Sequence, residues 1–255
     1  MTSLIILFLG ASIGSFAYAF AFRFPRKSDW IFGKSQCDEC GKRLFWYELV
    51  PLASFIIQKG KCRNCLKFIG WGYLFSELFM SLSFLFLWNS FIIGPRHDYM
   101  DLLFRGAFLI FFFIIALIDL KYFIIPDKLL ILGGILAVGF GLYSGPNFSV
   151  LNSVMTALIV GGIFFLVWLV SKGKWIGFGD VKFILLIGFL FGFPGTVFIF
   201  YIAVFMGVVV SIYLLILKKA NRKTPLPFGT FLAISSILYL IFASKIDSFF
   251  IQILL

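Results

Sequence analysis

Eight long apolar runs, four of them without a single charged residue and none with more than two, decide what this chain can become. They cover residues 3–22, 74–93, 102–120, 129–143, 150–170, 181–193, 197–217 and 228–250. Roughly 20 apolar residues are what a helix needs to cross the hydrocarbon core of a bilayer. Within that core every backbone N–H and C=O must find its partner inside the protein, which leaves helices as the natural solution for runs of this length. The predicted fold class is an all-α polytopic membrane protein with about eight transmembrane helices. The fourth and sixth runs are too short for a full crossing, so each must start among the headgroups or be sheltered by neighbouring helices. Composition agrees, with 62% apolar and 13% charged residues against roughly 45–50% and 25% in soluble domains. An ordinary soluble enzyme and a disordered chain are both excluded. No internal repeat or low-complexity tract is visible in the sequence.

The formal charge of +11 raises the question of a nucleic-acid partner, and the distribution of the charge answers it. If the chain crosses the membrane eight times from an outside N-terminus, 19 of the 22 Lys and Arg fall on one side. Ten lie between Arg23 and Gly72; Lys121, Lys128, Lys172, Lys174, Lys182, Lys218, Lys219, Arg222 and Lys223 complete the set. Only Arg96, Arg105 and Lys245 fall on the other. By the positive-inside rule the rich side is cytoplasmic. The basic charge is thus a topology signal, and no nucleic-acid partner is expected. Ala17-Tyr18-Ala19 has the small-x-small pattern of a signal-peptide cleavage site. No cation precedes the apolar run, however, and Arg23, Arg26 and Lys27 follow it, so a retained anchor is the expectation.

All four cysteines lie in the basic segment between the first two runs, as Cys37-Asp38-Glu39-Cys40 and Cys62-Arg63-Asn64-Cys65. Two C-x-x-C knuckles separated by 21 residues approach the spacing of a four-thiolate zinc site. Two disulfides, a redox dithiol and four unrelated thiols are the rivals; a reducing cytosol disfavours the first and the duplicated spacing the last. Around them Phe45, Trp46, Leu49, Val50, Leu52 and Phe55 supply too few apolar groups to fold so short a segment without a staple. A zinc ion would be structural, because four thiolates leave no open coordination position.

Acidic residues are scarce, 11 in all, and two stand at the predicted cytoplasmic ends of apolar runs. Asp119 closes the run Ile110 to Ile118, and Asp180 closes Gly177-Phe178-Gly179-Asp180. Two carboxylates in a poorly solvated pocket do not both ionise easily, so one keeps a proton while its partner acts as a base. That pair can activate water against a peptide carbonyl without a metal or covalent intermediate. The alternative is that each Asp only marks a helix boundary, capping it or pairing with Lys121 or Lys182. Asp127, after Pro126, looks first like a helix N-terminal residue. Lys182 either stabilises charge in the site or snorkels to the interface, with snorkelling preferred. His97 and the glycines Gly133, Gly134, Gly139, Gly141, Gly161 and Gly162 are assigned no chemistry, although the glycines allow helices to approach closely.

Taken together, these residues resemble the type IV prepilin peptidases, GxGD-type membrane aspartyl proteases, over nearly the whole chain. The matching motifs are Gly14-Ser15-Phe16 with Arg23-Phe24-Pro25; the double knuckle with Pro51-Leu52 and Gly60-Lys61-Cys62-Arg63; Tyr73 and Glu77; Asp119 with Pro126-Asp127; Gly177-Phe178-Gly179-Asp180-Val181-Lys182; and Pro227-Phe228-Gly229. Tyr18, Asp38, Leu74 and Thr230 depart from the family pattern, Thr230 standing where the family has Pro.

The resemblance implies that Asp119 and Asp180 are catalytic, with Gly177, Gly179, Lys182 and Asp127 as supporting motif residues. It implies precursors of type IV pilins or pseudopilins as substrates, cut at the cytoplasmic face of the bacterial inner membrane after a short basic leader. It further implies N-methylation of the new N-terminus with S-adenosylmethionine, with no residue assigned to that cofactor, and a four-cysteine module (Cys37, Cys40, Cys62, Cys65) holding structural zinc. The expected organisation is a first membrane helix over 1–22, a zinc-binding module over 23–73 and a peptidase region over 74–255, embedded in membrane lipid. Glu48 and Glu77 are candidates to meet the basic leader. Peptidase action without methyl transfer is the alternative within the family. A proton-coupled transporter would instead place its carboxylates near mid-bilayer, and a membrane scaffold would have no need of Gly177-Phe178-Gly179-Asp180.

Overall fold

In α1 (Thr2–Arg23) the only charge is Arg23, in the last turn, where a cation suits the negative end of the helix dipole. The structure is a computed structural model that describes residues 1–24, 35–37, 39–93, 98–217 and 224–254. Pro25, Arg26, Lys27, Asp38, Arg96, His97, Lys218, Lys219, Arg222 and Lys223, all named above, lie outside the described residues, as does the side chain of Lys245. The chain divides into two compact units, Met1–Gly106 and Ala107–Leu255.

The first unit pairs α1 with α3 (Trp71–Ile93). Glycine decides how close they come. A Cβ at Gly10 would lie 2.8 Å from the Met80 carbonyl oxygen, and one at Gly14, a turn later, would collide with the carbonyl of Ser76. Small residues four apart let two membrane helices touch backbone to backbone. The Ser81 hydroxyl adds a bond to the Leu7 carbonyl at 2.8 Å. Between the two helices sit the cysteine knuckles, a 3-10 turn (Trp46–Glu48) and the short α2 (Ala53–Ile57). There is no strand among the described residues, only isolated bridges at Gln36/Arg43 and Lys61/Phe68.

The second unit opens within α4 (Tyr99–Tyr122) and continues through α5 (Asp127–Ser144), α6 (Val150–Ser171), α7 (Phe178–Ile216) and α8 (Phe228–Leu254). Its core is the apolar stretch of α4, where Phe108, Leu109, Phe112, Ile115 and Ile118 are buried. Around it α7 packs on α5, α6 and α8. Gly188 lets α7 approach the α6 backbone, since a Cβ there would stand 2.7 Å from Ala157 Cα. Ile131, Ile135 and Leu142 on α5 and Leu158, Ile163 and Leu166 on α6 are exposed. Exposed apolar faces on this scale need a bilayer to cover them. Among the described residues, six helices are long and apolar enough to cross a membrane, which fits a multi-pass membrane protein.

Every predicted span has its helix. The sixth and seventh are the two helical halves of α7, and the Thr196 hydroxyl lies 3.5 Å from the Ile187 carbonyl oxygen nine residues back, so the chain does not run straight on. The helix breaks at Gly192 (φ 58°) and Phe193, just before Pro194. A break strands backbone groups, and Asn152 on α6 recovers them: its Nδ2 donates to the Phe193 carbonyl at 2.9 Å, and its Oδ1 accepts from the Phe193 amide at 3.2 Å. Replacing this two-way clasp by an apolar isostere removes both bonds. Asn152→Leu is expected to lower stability by about 1–3 kcal/mol. Thermal unfolding of the detergent-solubilised protein measures it, and an unchanged transition would show the clasp to be unimportant.

Candidate active site and metal centre

Asp119 lies in the last turn of α4, only 5% exposed. Directly above it α8 begins, and the first amides of a helix have no partner within it. The Thr230 amide donates instead to Asp119 Oδ2 at 2.6 Å. The Thr230 hydroxyl stands 3.0 Å from the same oxygen and 3.2 Å from the Ala116 carbonyl oxygen. Asp119 therefore caps α8 from a different helix, a role usually filled by the residue preceding the helix. Gly229 makes the approach possible, because a Cβ there would lie 3.0 Å from Asp119 Oδ2 and 2.7 Å from Ile125 Cδ1.

Asp180 is the third residue of α7. Its Oδ2 accepts from the Gly177 amide at 3.3 Å, closing the first turn. Gly179 faces Ile125, whose Cβ would be 3.3 Å from a Cβ at that glycine. Ile125, buried in the connection between α4 and α5, is thus wedged against Gly179 on one side and Gly229 on the other. The two glycines draw the starts of α7 and α8 onto one side chain beside Asp119. Asp119 and Asp180 lie within electrostatic reach of each other. The site unites the C-terminal end of one helix with the N-termini of two others, whose partial positive charge favours a nearby anion.

Lys182 does not merely snorkel. Its Nζ pairs with Asp127 Oδ1 at 2.7 Å and lies 4.9 Å from the Phe178 ring centroid. Asp127 is the first residue of α5, after Pro126 as N-cap, so the pair ties α5 to α7 at the rim of the site. Two site residues escaped the sequence reading. Thr230 stood out only as a departure from the family's Pro, a residue that has neither an N–H nor a hydroxyl. Ile125 carried no signal, being one isoleucine in an apolar chain.

In the first unit, the four sulfurs of Cys37, Cys40, Cys62 and Cys65 lie within 4.8 Å of one another. The Cys37–Cys65 and Cys40–Cys62 separations are 3.9 and 4.0 Å. A zinc tetrahedron with Zn–S bonds near 2.3 Å has sulfurs about 3.8 Å apart. The second knuckle repeats the first bond for bond. The Cys37 amide donates to the Lys42 carbonyl and the Cys62 amide to that of Lys67; Gly41 and Leu66 then donate back to the carbonyls of Cys37 and Cys62. Amides also point at sulfur. Those of Cys65 and Asn64 pull the Cys62 thiol down to about 6, and that of Lys42 lowers Cys40. Against the pull of the Lys67 amide, desolvation and the three neighbouring sulfurs push Cys65 up to about 11. Some of these thiols are poised to ionise and another is prevented by its neighbours. A dication at their centre removes that conflict, so the donor set fits zinc.

Glu48 and Glu77 are both buried and turned onto the protein's own backbone. Glu48 accepts from the Phe45 amide at 2.8 Å. Glu77, on α3, accepts from the Leu52 amide at 2.7 Å and from the Ser15 hydroxyl of α1. Glu77 thereby joins three of the motif segments singled out above: Gly14-Ser15-Phe16, Pro51-Leu52 and the start of α3. Its geometry is that of a structural pin and gives no support to a meeting with a basic leader.

Comparison with known proteins gives matches in both parts of the chain. Residues 8–91 match the bacterial peptidase A24 N-terminal domain, and residues 106–212 match the type IV leader peptidase family. A prepilin leader peptidase/N-methyltransferase of Bacillus subtilis is 29% identical over 258 residues, covering 100% of both chains. One of Pseudomonas aeruginosa is 26% identical over 235 residues, covering 87% of this chain and 76% of its own. One of Dichelobacter nodosus is 29% identical over 219 residues, covering 85% and 73%. No solved structure matches the chain. With the A24 N-terminal domain matched in its first part and the leader-peptidase domain in its second, the chain belongs to the type IV leader peptidase family.

Proposed function

We propose that the protein is a membrane aspartic endopeptidase that removes the short basic leader from type IV prepilins or pseudopilins and then methylates the new N-terminal amine with S-adenosylmethionine. The observation that carries this reading is that Asp119 and Asp180 lie within electrostatic reach of each other, at the ends of helices drawn together by Gly179 and Gly229 against Ile125. One carboxyl of such a pair holds a proton while the other is ionised. The ionised group takes a proton from water as its oxygen attacks the scissile carbonyl carbon. The protonated one stabilises the developing oxyanion and then supplies the proton for the leaving amine as the C–N bond breaks. The positive ends of α7 and α8 favour the anionic state through which each carboxyl must pass.

The substrate class suits a site at the membrane edge. A precursor whose leader is basic and whose mature start is an apolar helix can lie in lipid alongside the exposed faces of the enzyme, with its scissile bond at the surface. Lys and Arg distribution supports a cytoplasmic position for that surface in the bacterial inner membrane, with the N-terminus outside. In this reading residues 1–22 anchor the chain, 23–73 form the metal-binding module and 74–255 carry the peptidase. Cys37, Cys40, Cys62 and Cys65 hold a structural zinc ion, which stabilises the module and takes no part in hydrolysis.

The test is a coupled assay of the purified protein in detergent, with a prepilin precursor and methyl-labelled S-adenosylmethionine. The expected products are a shortened pilin and a labelled N-terminus. Cleavage without label would reduce the activity to peptidase alone; an intact precursor under conditions where a relative cleaves it would refute the reading.

A further inference from the structure

The geometry points to Thr230 as a positioning residue whose hydroxyl turns between two acceptors, serving Asp119 in both of its protonation states. This rests on the peptidase reading, in which Asp119 must gain and lose a proton in every turnover. The Thr230 hydroxyl has one hydrogen and two acceptors in range, Asp119 Oδ2 at 3.0 Å and the Ala116 carbonyl oxygen at 3.2 Å. When Asp119 is anionic, Oδ2 accepts from both the amide and the hydroxyl of Thr230. When Asp119 carries its proton on Oδ2, that proton is donated to Thr230 Oγ1, and the hydroxyl's own hydrogen turns to the Ala116 carbonyl. No proton leaves Thr230 in either arrangement; a rotation about its C–O bond is the whole change.

A buried donor or acceptor left without a partner is costly, and Thr230, Asp119 and Ala116 are enclosed at the start of α8. A neighbour that can only donate, such as a backbone amide, satisfies the anion and not the acid. A hydroxyl donates or accepts as required. The charged or titratable partner facing Asp119 from α7 is Asp180, while Asp127 of α5 is engaged with Lys182. Thr230 is therefore the neutral group that adapts.

Thr230→Val keeps the side-chain shape and the amide bond to Asp119 and removes only the hydroxyl; Thr230→Ser restores it. Purified variants are compared on the same precursor. For Thr230→Val, kcat is expected to fall about 10- to 100-fold, the loss typical of a hydrogen bond to a charged group. KM should stay within about twofold, because the hydroxyl touches no substrate, and Thr230→Ser should recover kcat to within about threefold of the parent. A Val variant at parental kcat, a Ser variant as slow as Val in equally stable protein, or a change confined to KM would each overturn the assignment. Asp119→Asn run alongside separates the two levels. If it cleaves normally the peptidase reading itself fails; if it is inactive while Thr230→Val is unimpaired, only the role of Thr230 falls.

Discussion

Asp119→Asn and Asp180→Asn, each alone, abolish removal of the leader from a co-expressed precursor while the protein remains inserted and folded. The expected loss is at least about 10³-fold, because an amide of the same shape neither takes a proton from water nor returns one to the leaving amine. Folding should survive both changes. In Asp119→Asn the new amide oxygen still accepts from the Thr230 amide, so the start of α8 keeps its cap, and in Asp180→Asn it still accepts from the Gly177 amide. Because the two groups act as one unit, the double variant should be no slower than either single one. Asp127→Asn supplies the contrast. Its carboxylate is two-thirds exposed, with a side-chain accessibility of 66%, and it pairs with Lys182; such surface pairs contribute about 0–1 kcal/mol. Its cleavage rate should stay within about fivefold of the parent. Mass spectrometry of the precursor together with membrane-fraction yield measures all four proteins. Full processing by either Asp119→Asn or Asp180→Asn would end the two-carboxylate account.

The residues that make the site differ in how far a single sequence exposes them. Asp119 and Asp180 stand out because a carboxylate at the end of an apolar run is energetically conspicuous, and the cysteines because thiolate spacing encodes a metal geometry. The spans follow from run length alone. What escapes is every partnership made across the chain. Thr230 binds a carboxylate 111 positions away, and nothing in Phe228-Gly229-Thr230 says which acid it will meet. Ile125 acquires its role only when Gly179 and Gly229 arrive on either side of it. Asn152 looks like a polar intrusion near the start of α6 until the broken turn at Gly192 appears beside it. Gly192 and Pro194 mark the break within α7 in the sequence, while the partner that α6 supplies for its exposed backbone shows only in the structure. Glu77 misleads in the opposite direction, since a membrane-edge carboxylate suggests function and here its oxygens are committed to Leu52 and Ser15.

The cysteine module yields the second large effect. Protein purified under reducing conditions is expected to hold one zinc ion per chain, and the double variant Cys37→Ser with Cys62→Ser to hold none. Removing one ligand from each knuckle leaves two sulfurs, too few to close a tetrahedron. In small metal-folded modules binding and folding share one free energy, about 10–16 kcal/mol, and there is little here to replace it. Phe45, Trp46, Ile56, Ile57 and Leu66 are all exposed, so among the described residues the module has little beyond the Phe55, Phe68 and Trp71 ring contacts to hold it without the metal. Metal loss should therefore open this segment to proteases, with cuts between Ser35 and Gly70 that zinc-loaded protein resists. The damage extends inward, because the Leu52 amide is one of the donors that satisfy buried Glu77; once the module unfolds that carboxylate loses a partner at the contact of α1 with α3. Elemental analysis and limited proteolysis test these steps separately, and Asp119→Asn, which leaves the cysteines untouched, should bind zinc normally. A stoichiometry near zero in the reduced parent protein, or equal protease resistance with and without metal, would show that the four thiols fold the module without an ion.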